Sequence, residues 1–416
     1  MRQTLLFTKT RKEAPKDELT KNASLLIRGG FIHKELAGVY SMLPLGLKVL
    51  QKISQIIREE MEALGAQELF LSTLQDSYLW QKTERWDDEV FDVWFKTRLK
   101  NKSEVGLAAT HEEPLTAIVS EHLSSYKELP LAVFQIQTKF RNETRAKSGL
   151  IRGREFLMKD LYSFSKDKAE HQKFYEKVKK VYLRIFKKAG LPECFLTLAS
   201  GGSFSEFSHE FQVPSPAGED TIFLEKKKSL AINKEIFSEE LAKKLKLSAK
   251  TLEEKKSIEV GNIFELGTRF SEALGLSFLD KNGVKRPVYM GSYGIGIGRL
   301  MGTIAEVLSD KNGLVWPSAV APFKVHLLRL ADDSETLKEA DSLYKKLLSN
   351  RVEALYDDRE LSAGVKFGDA DLLGLPVRVV VSPKTVSEGV FELKERATGK
   401  LSKLNLGGLL KFIENA

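Results

Sequence analysis

The sequence predicts an α+β domain built on an antiparallel sheet with flanking helices, followed by a separate α/β domain of about a hundred residues. Three observations carry this. Strand-like pieces flank a polar, glycine-containing loop between residues 131 and 165; a strand, a glycine-rich stretch and a helix follow at VYMGSYGIGIGRLMGTIAEVL; and from residue 321 strands and helices alternate. A chain of 416 residues exceeds one ordinary core, so two or three domains are expected. With 42% hydrophobic and 29% charged residues it reads as globular, and no apolar run approaches the roughly 20 residues that span a bilayer. The opening MRQTLLFTKTRKEAPKDELTKNASLL has no apolar core of a targeting segment, which predicts a cytoplasmic protein. Lys and Arg outnumber Asp and Glu by 65 to 57, suiting contact with nucleic acid through a patch. The single Cys194 excludes an internal disulfide, and the six histidines form no Cys/His cluster at zinc spacing, so no metal site and no zinc are expected.

The elements follow in order. Val49, Ile53, Ile56, Ile57, Met61 and Leu64 recur at three and four residues, predicting a helix over 45–64 with Gly65 as its C-terminal cap. QELFLSTLQDSYLW reads as a short strand and a turn. AVFQIQTKF and REFLMKDLYSF read as antiparallel strands joined by TRAKSGLIRG. Residues 168–189 are helical, with Phe174, Val178, Val181, Ile185 and Phe186 on one face. The Lys- and Glu-rich stretch LEKKKSLAINKEIFSEELAKKLKLSAKTLEEKK has a thin apolar stripe and reads as a solvated helical connector, with a nucleic-acid contact as the lesser reading. Order returns at IEVGNIFELGTRFSEALG, and VYMGSYGIGIGRL reads as a strand passing through a glycine-rich turn into a helix. Beyond VWPSAVAPF, FKVHLLRL, VEALYD, VRVVVS and FELKERATG read as strands; a helix from a Ser334 cap, a second over VKFGDADLLG and a final LGGLLKFIE complete the α/β unit.

Side chains two apart on a strand share a face, which groups Arg141 with Glu143, and Arg152 and Arg154 with Phe156, Met158 and Asp160. Guanidinium forks, an acid and a ring suit a nucleotide's phosphates, amino group and base. A cross-strand salt-bridge ladder fits the hairpin pattern equally well. GSYGIGIGRL adds glycines where backbone can approach a ligand and then Arg299 at the start of a helix; it fits neither the dinucleotide fingerprint nor a P-loop.

Set beside KFRNE, the REFLMKD return and YGIGIGR, these pieces resemble motifs 2 and 3 of class II aminoacyl-tRNA synthetases. LPLGLKVL, ATHEEP, SSYKELPLAVFQIQTKFRNE, SHEFQVPSPAGED and IEVGNIFELGTRFSEALG resemble successive segments of bacterial-type prolyl-tRNA synthetases over nearly the whole chain, in a short form. The resemblance implies ATP with Mg2+, L-proline and tRNA(Pro) as substrates, and a homodimer. In it Arg141 holds the α-phosphate and the amino-acid carboxylate, Glu143 meets the adenine amino group, Arg152 reaches the outer phosphates, Phe156 stacks on adenine and Arg299 covers its other side; Arg141 and Arg299 are the catalytic cations. Glu259 and Asn262 lie by the nucleotide. Thr110 and Glu112 hold the imino group of proline, with Met158, Asp160, His209, Phe264 and Ser292 around the pocket. Arg145 and Lys147, at the hairpin tip, face the tRNA acceptor end or solvent, and His111 and His209 are candidates for proton transfer beside a structural role. The implied domains are 1–223 for the first part of the catalytic domain, 224–257 for the charged connector in place of an editing insertion, 258–320 for the second part and 321–416 for an anticodon-binding domain, with Asp357, Asp358, Arg359 and Lys366 near the anticodon.

The chain departs from the family pattern at Ser72, where motif 1 carries a proline, at Asn262, where a histidine is common, and at ELSAG after the DDR element. The connector has no room for the large editing insertion of many bacterial relatives, which predicts mischarging with alanine that is uncorrected in cis. Threonyl-tRNA synthetases carry a zinc ligand set that is missing here, and the remaining alternative is an inactive paralogue that binds tRNA.

Overall fold

A computed structural model describes the whole chain except residues 145, 147, 192, 203, 249, 250 and 416 and the side chain of 415. The expectation for Arg145 and Lys147 therefore lies outside the described residues. The chain forms two compact units, one of Leu36–Val39 and Ser54–Thr303, the other of Met1–Glu35, Tyr40–Ile53 and Ile304–Ala416. No helix among the described residues is long and apolar enough to cross a membrane.

The first unit is organised by a nine-stranded sheet. In chain order its strands are β1 Gln67–Glu68, β2 Leu131–Phe140, β3 Glu155–Ser165, β4 Phe195–Ser200, β5 Phe207–Pro214, β6 Asp220–Glu225, β7 Leu230–Asn233, β8 Glu253–Gly267 and β9 Tyr289–Gly296. Their spatial order is β5-β4-β7-β6-β8-β9-β3-β2-β1, and β5 also pairs with β8. The expected hairpin is present: β2 and β3 are antiparallel, with Gln135 opposite Asp160, Gln137 opposite Met158 and Lys139 opposite Phe156. β9 runs antiparallel between β3 and β8, placing Ser292 opposite Tyr162 and Phe264, and Gly294 opposite Asp160 and Asn262. One face of the three adjacent strands β3, β9 and β8 thus carries the even-numbered residues 158, 160, 162, 262, 264 and 292.

Helix Lys168–Lys188 starts where the Asp167 carboxylate accepts from the Glu170 amide, and its chain turns away at Gly190, φ 96°. Helix Glu112–His122 follows directly on the Thr110–Glu112 segment, and Leu115, Val119, Tyr162, Phe164, Phe270 and Met290 share one buried cluster.

Two expectations give way. The Lys- and Glu-rich stretch is α-helical only over Glu239–Lys244, with single 3-10 turns at Lys226–Lys228 and Lys234–Ile236; the end of β6, all of β7 and the start of β8 tie it into the main sheet, because strand side chains that face water tolerate charge as readily as a solvated helix does. Gly291, Gly294 and Gly296 lie along β9 itself, and the helix Ile297–Leu308, which holds Gly298, starts directly after Gly296. A Cβ on Gly294 would run into the Met158 methyl and lie 2.9 Å from Asn262 Oδ1, so the bare strand gives room to its neighbours.

The second unit contains a five-stranded sheet. Val325–Arg329 lies between the parallel strands Ala354–Asp357 and Val377–Val381, and Phe391–Glu395 and Leu401–Leu404 extend it antiparallel. Val325, Leu327, Leu343, Leu347, Tyr356, Val379, Leu393, Leu409 and Ile413 form its core. Helix Ser334–Ser349 is capped by Asp333, which accepts from the Thr336 amide, and not by Ser334. The N-terminal residues belong to this unit: the Met1 ammonium donates to Ala354 O at 2.7 Å, and Arg2 pairs with Asp341 and Asp358 at 2.9 and 3.2 Å.

Candidate active site

The shared face of β3, β8 and β9 floors a cleft of about 330 Å3, lined among others by Arg85, Thr110, Glu112, Arg141, Glu143, Met158, Asp160, Tyr162, Asn262, Phe264 and Ser292. Glu112, at the first turn of its helix, is 5% exposed. Its carboxylate accepts from Thr110 Oγ1 at 2.5 Å and from Ser292 Oγ at 3.0 Å. Arg85 reaches it only at 3.5 Å, because Arg85 is committed to Glu113 at 2.9 and 3.1 Å and lies over the rings of Trp80 and Phe91. Burial pushes the Glu113 carboxyl up to about 7 against the pull of Arg85.

Asp160 is held from all sides. Lys139 Nζ lies 2.9 and 3.0 Å from its two oxygens, Gln135 Nε2 donates to it at 2.9 Å and Tyr162 Oη at 2.9 Å. Burial pushes this carboxyl up, but Lys139, His111 and Gln135 together hold it below the usual range. All three donors meet Oδ2, which fixes the carboxylate in position, while the buried Oδ1 lies near the Lys139 ammonium without a hydrogen bond among the described residues. Lys139 Nζ also meets His111 Nδ1 at 2.6 Å, and His111 Nε2 lies 3.0 Å from Ser72 O. With Nδ1 accepting from the ammonium, Nε2 carries the proton and donates to Ser72; burial and Lys139 lower His111 to about 4, which keeps the ring neutral. The Leu71 amide donates to Gln135 and Gln137 donates to Leu71 O, so the Leu71–Ser72 backbone is pinned to the site.

Arg141 follows directly on β2. Its Nε donates to Ala109 O at 3.3 Å, its guanidinium lies 5.5 Å from the Phe156 ring centre, and among the described residues no carboxylate pairs with it. Burial and the nearby Arg299 disfavour its charge. The other cations are paired. Arg152 donates to Glu143 at 2.6 and 3.0 Å and to Glu219 at 2.7 Å. Arg299 donates to Glu259 Oε2 at 3.1 Å and to the carbonyls of Ile151 and Glu259, while Asn262 Nδ2 donates to Glu259 Oε1 at 2.8 Å.

His209 stands apart from this set. It is opposite Ile263, one residue out of phase with Asn262, and its Nδ1 lies 2.9 Å from Tyr175 Oη, on the face where helix Lys168–Lys188 packs. Glu210, opposite Asn262, takes the site-facing position. The anticodon candidates also divide. Asp357 is fully buried and held by Arg359 at 2.6 and 2.8 Å, and Lys366 is 2% exposed with Nζ donating to Arg329 O, so neither offers a polar atom to a base. Arg359 is half-buried and also pairs with Asp369 at 2.9 Å. Sequence reasoning missed Arg85, Glu113, Gln135, Gln137, Lys139 and Tyr162; the polar row at alternate positions of LAVFQIQTKF was the signal for three of them.

An antiparallel sheet with arginines on its motif hairpin and a glycine-lined strand running into the helix that carries Arg299 defines a class II aminoacyl-tRNA synthetase core. The family profile described as tRNA synthetase class II core domain (G, H, P, S and T) matches residues 94–308, and that of an anticodon binding domain matches 318–416. The chain is 34% identical over 565 residues to the proline–tRNA ligase of Bacillus cereus strain B4264 and 33% identical to proline–tRNA ligase 1 of Bacillus anthracis, with all of each chain covered, and so belongs to the prolyl-tRNA synthetases. Its fold is similar to that of the Cryptosporidium parvum prolyl-tRNA synthetase solved with halofuginone and AMPPNP, at a TM-score of 0.77 and 16% identity over 94% of this chain and 77% of the other. A second structure of that enzyme, with L-proline and AMP, gives 0.76 at 16% identity over 94% and 74%.

Proposed function

We propose that this chain joins L-proline to ATP as prolyl-adenylate, transfers the prolyl group to tRNA(Pro), and does not remove alanine from mischarged tRNA. One observation carries the assignment of residues. Asp160, Glu113, Glu143 and Glu259 each have a cation within 3.1 Å, whereas Glu112 rests on two hydroxyls and Arg141 has no carboxylate. A zwitterionic amino acid complements that pair, its secondary ammonium on Glu112 and its carboxylate on Arg141. The carboxylate oxygen then attacks the α-phosphorus of ATP, pyrophosphate leaves, and a hydroxyl of the terminal tRNA ribose attacks the prolyl carbonyl with AMP departing. Positioning and cations suffice for this, with no side-chain nucleophile. Arg141 and Arg299 face the developing phosphate charge, Phe156 and Asn262 lie along the nucleotide, and the Glu143–Arg152 pair opens or moves as a unit to admit adenine and the outer phosphates.

Mg2+ fits the carboxylates on the β5–β8 side. Burial and Glu259 push Glu210 up to about 8, and burial raises Asp220, a crowding of acids that a divalent cation relieves. Mg2+ would enter with the ATP phosphates, whose charge it neutralises, with Glu210 and Glu259 as the carboxylates beside it. No cluster of three or more metal ligands stands by itself among the described residues. The Bacillus alignment runs over 565 residues against 416 here, and residues 224–257 contain only short strands of the main sheet, one short helix and their connections; both support the reading without editing. A cytoplasmic homodimer is part of the proposal. Proline-dependent ATP–pyrophosphate exchange, repeated with threonine and alanine, tests it; no exchange with any of the three would leave a tRNA-binding paralogue.

A further inference from the structure

Glu112 and Glu113 stand side by side in the first turn of one helix, and both are buried. Among the described residues Arg85 is the one cation within ion-pair distance of either. Its Nη1 donates to the two Glu113 oxygens at 2.9 and 3.1 Å and lies 3.5 Å from Glu112 Oε2, while Thr83 Oγ1 also donates to Glu113 at 2.8 Å. The guanidinium is boxed in by the rings of Phe91, Trp80, Phe270 and Phe204, with ring centres 4.7, 4.8, 5.4 and 5.7 Å away. Its backbone is held too, the amide donating to Trp80 O at 3.0 Å and the carbonyl accepting from Trp94 Nε1 at 2.9 Å. Arg85 therefore stays between the two acids, and its remaining freedom is the choice of carboxylate. Two acids and one cation leave one negative charge to spare. With Arg85 on Glu113 that charge rests on Glu112, which lines the cleft; with Arg85 on Glu112 it would rest on Glu113, which is fully buried and does not line it.

We propose that Glu113 is a positioning residue for proline binding: by holding Arg85 it leaves the spare negative charge on Glu112 for the ammonium group of the substrate. The inference rests on the assignment of Glu112 to that ammonium. A bound substrate then completes a row of alternating charges, Glu113, Arg85, Glu112 and ammonium, in surroundings where each attraction is stronger than in water. A neutral residue at position 113 could satisfy the same donors, but it would not compete with Glu112 for the cation.

The test is proline-dependent pyrophosphate exchange on the full chain with Glu113→Gln, Arg85→Met and the two combined, reading KM for proline, KM for ATP, kcat and melting temperature. Glu113→Gln keeps the shape and removes the charge, so Arg85 turns to Glu112. The proline KM rises roughly 10-fold, while the ATP KM and kcat at saturating proline hold. Arg85→Met raises the proline KM as well, because two adjacent buried acids then share one proton. The combined variant leaves Glu112 as a lone acid and recovers most of what either single change loses, a coupling that lost packing alone does not produce. Glu113→Asp, which retains the charge, stays closer to wild type than Glu113→Gln. An unmoved proline KM in Glu113→Gln, or a combined variant no better than either single one, overturns the proposal. If Glu113→Gln melts below the assay temperature, Arg85→Met against the combined variant decides in the same way. Glu112→Gln separates the two readings: a proline KM that it leaves unmoved strikes the assignment of Glu112, whereas a rise there with none in Glu113→Gln strikes the role of Glu113 alone.

Discussion

Replacing Lys139 by methionine keeps most of the side chain's volume and removes one ammonium from the middle of the site. Lys139 is fully buried, and burial lowers its pKa while Asp160 raises it. Without it Asp160 keeps the neutral donors Gln135 and Tyr162 but loses the cation at 2.9 Å. Leaving a buried charge without its partner costs about 3–5 kcal/mol. The pH dependence has a definite sign. In the intact protein Asp160 is held below the usual carboxylate range, so its contribution is present above the unfolded value and lost as pH falls through the lowered one. In the variant burial is unopposed, Asp160 binds a proton more readily folded than unfolded, and the deficit is largest at alkaline pH and shrinks toward acid. Urea titrations at pH 8 and pH 5.5, followed by the fluorescence of Trp80, Trp86 and Trp94, measure it. Adding Asp160→Asn removes the orphaned charge, so the double variant regains a large part of the loss. A single-variant loss below about 1 kcal/mol at pH 8, or a double variant less stable than the single, would refute the reasoning.

Glu112→Gln removes the acid proposed for the proline ammonium; a charge-assisted hydrogen bond of about 1.5–3 kcal/mol puts the proline KM in exchange up roughly 10- to 100-fold with the ATP KM little changed, and an unmoved proline KM would exclude that contact. With alanine, ATP and tRNA, alanyl-tRNA accumulates; its rapid hydrolysis by this chain alone would sink the reading without editing. Burial lowers His111, His171, His209 and His326 to about 4, so the stability they contribute at neutral pH is lost as pH falls from 6.5 toward 4. Both ring nitrogens of His171 lack a partner, and His171→Phe flattens the fall in melting temperature between pH 7 and 5; an unchanged slope would assign it to other groups.

The hairpin was legible because a period of two needs no tertiary information: Phe156, Met158 and Asp160 share a face as the sequence parity predicts. His209 shows where that logic stops. Its parity relative to Asn262 depends on how β5 registers against β8, including a shift at Phe211 and Gln212, and no local pattern encodes that pairing. The resemblance placed His209 around the pocket, and a one-residue phase turns Glu210 to that face of the sheet instead. Arg85 was out of reach for the same reason, since its aromatic surroundings and Glu113 meet it only in the folded chain. The connector was misread because Lys and Glu runs report exposure and say little about whether the exposed element is helix or strand.

The pairing of charges also bears on specificity. In the proposed arrangement Glu112 and Arg141 answer to the ammonium and carboxylate that every amino acid carries, so they would orient a substrate without choosing among side chains. Choice falls to the apolar lining, where Met158, Phe204 and Phe264 stand. A proline ring fills such a space and alanine leaves part of it empty, which is worth only about 1–3 kcal/mol of discrimination. Enlarging Ser292 or Gly294 to exclude alanine would crowd proline first, since a carbon on Gly294 would press on the Met158 methyl and Asn262 Oδ1. On the proposed reading, the geometry that makes the site accurate about the backbone of its substrate would leave it permissive toward a smaller side chain.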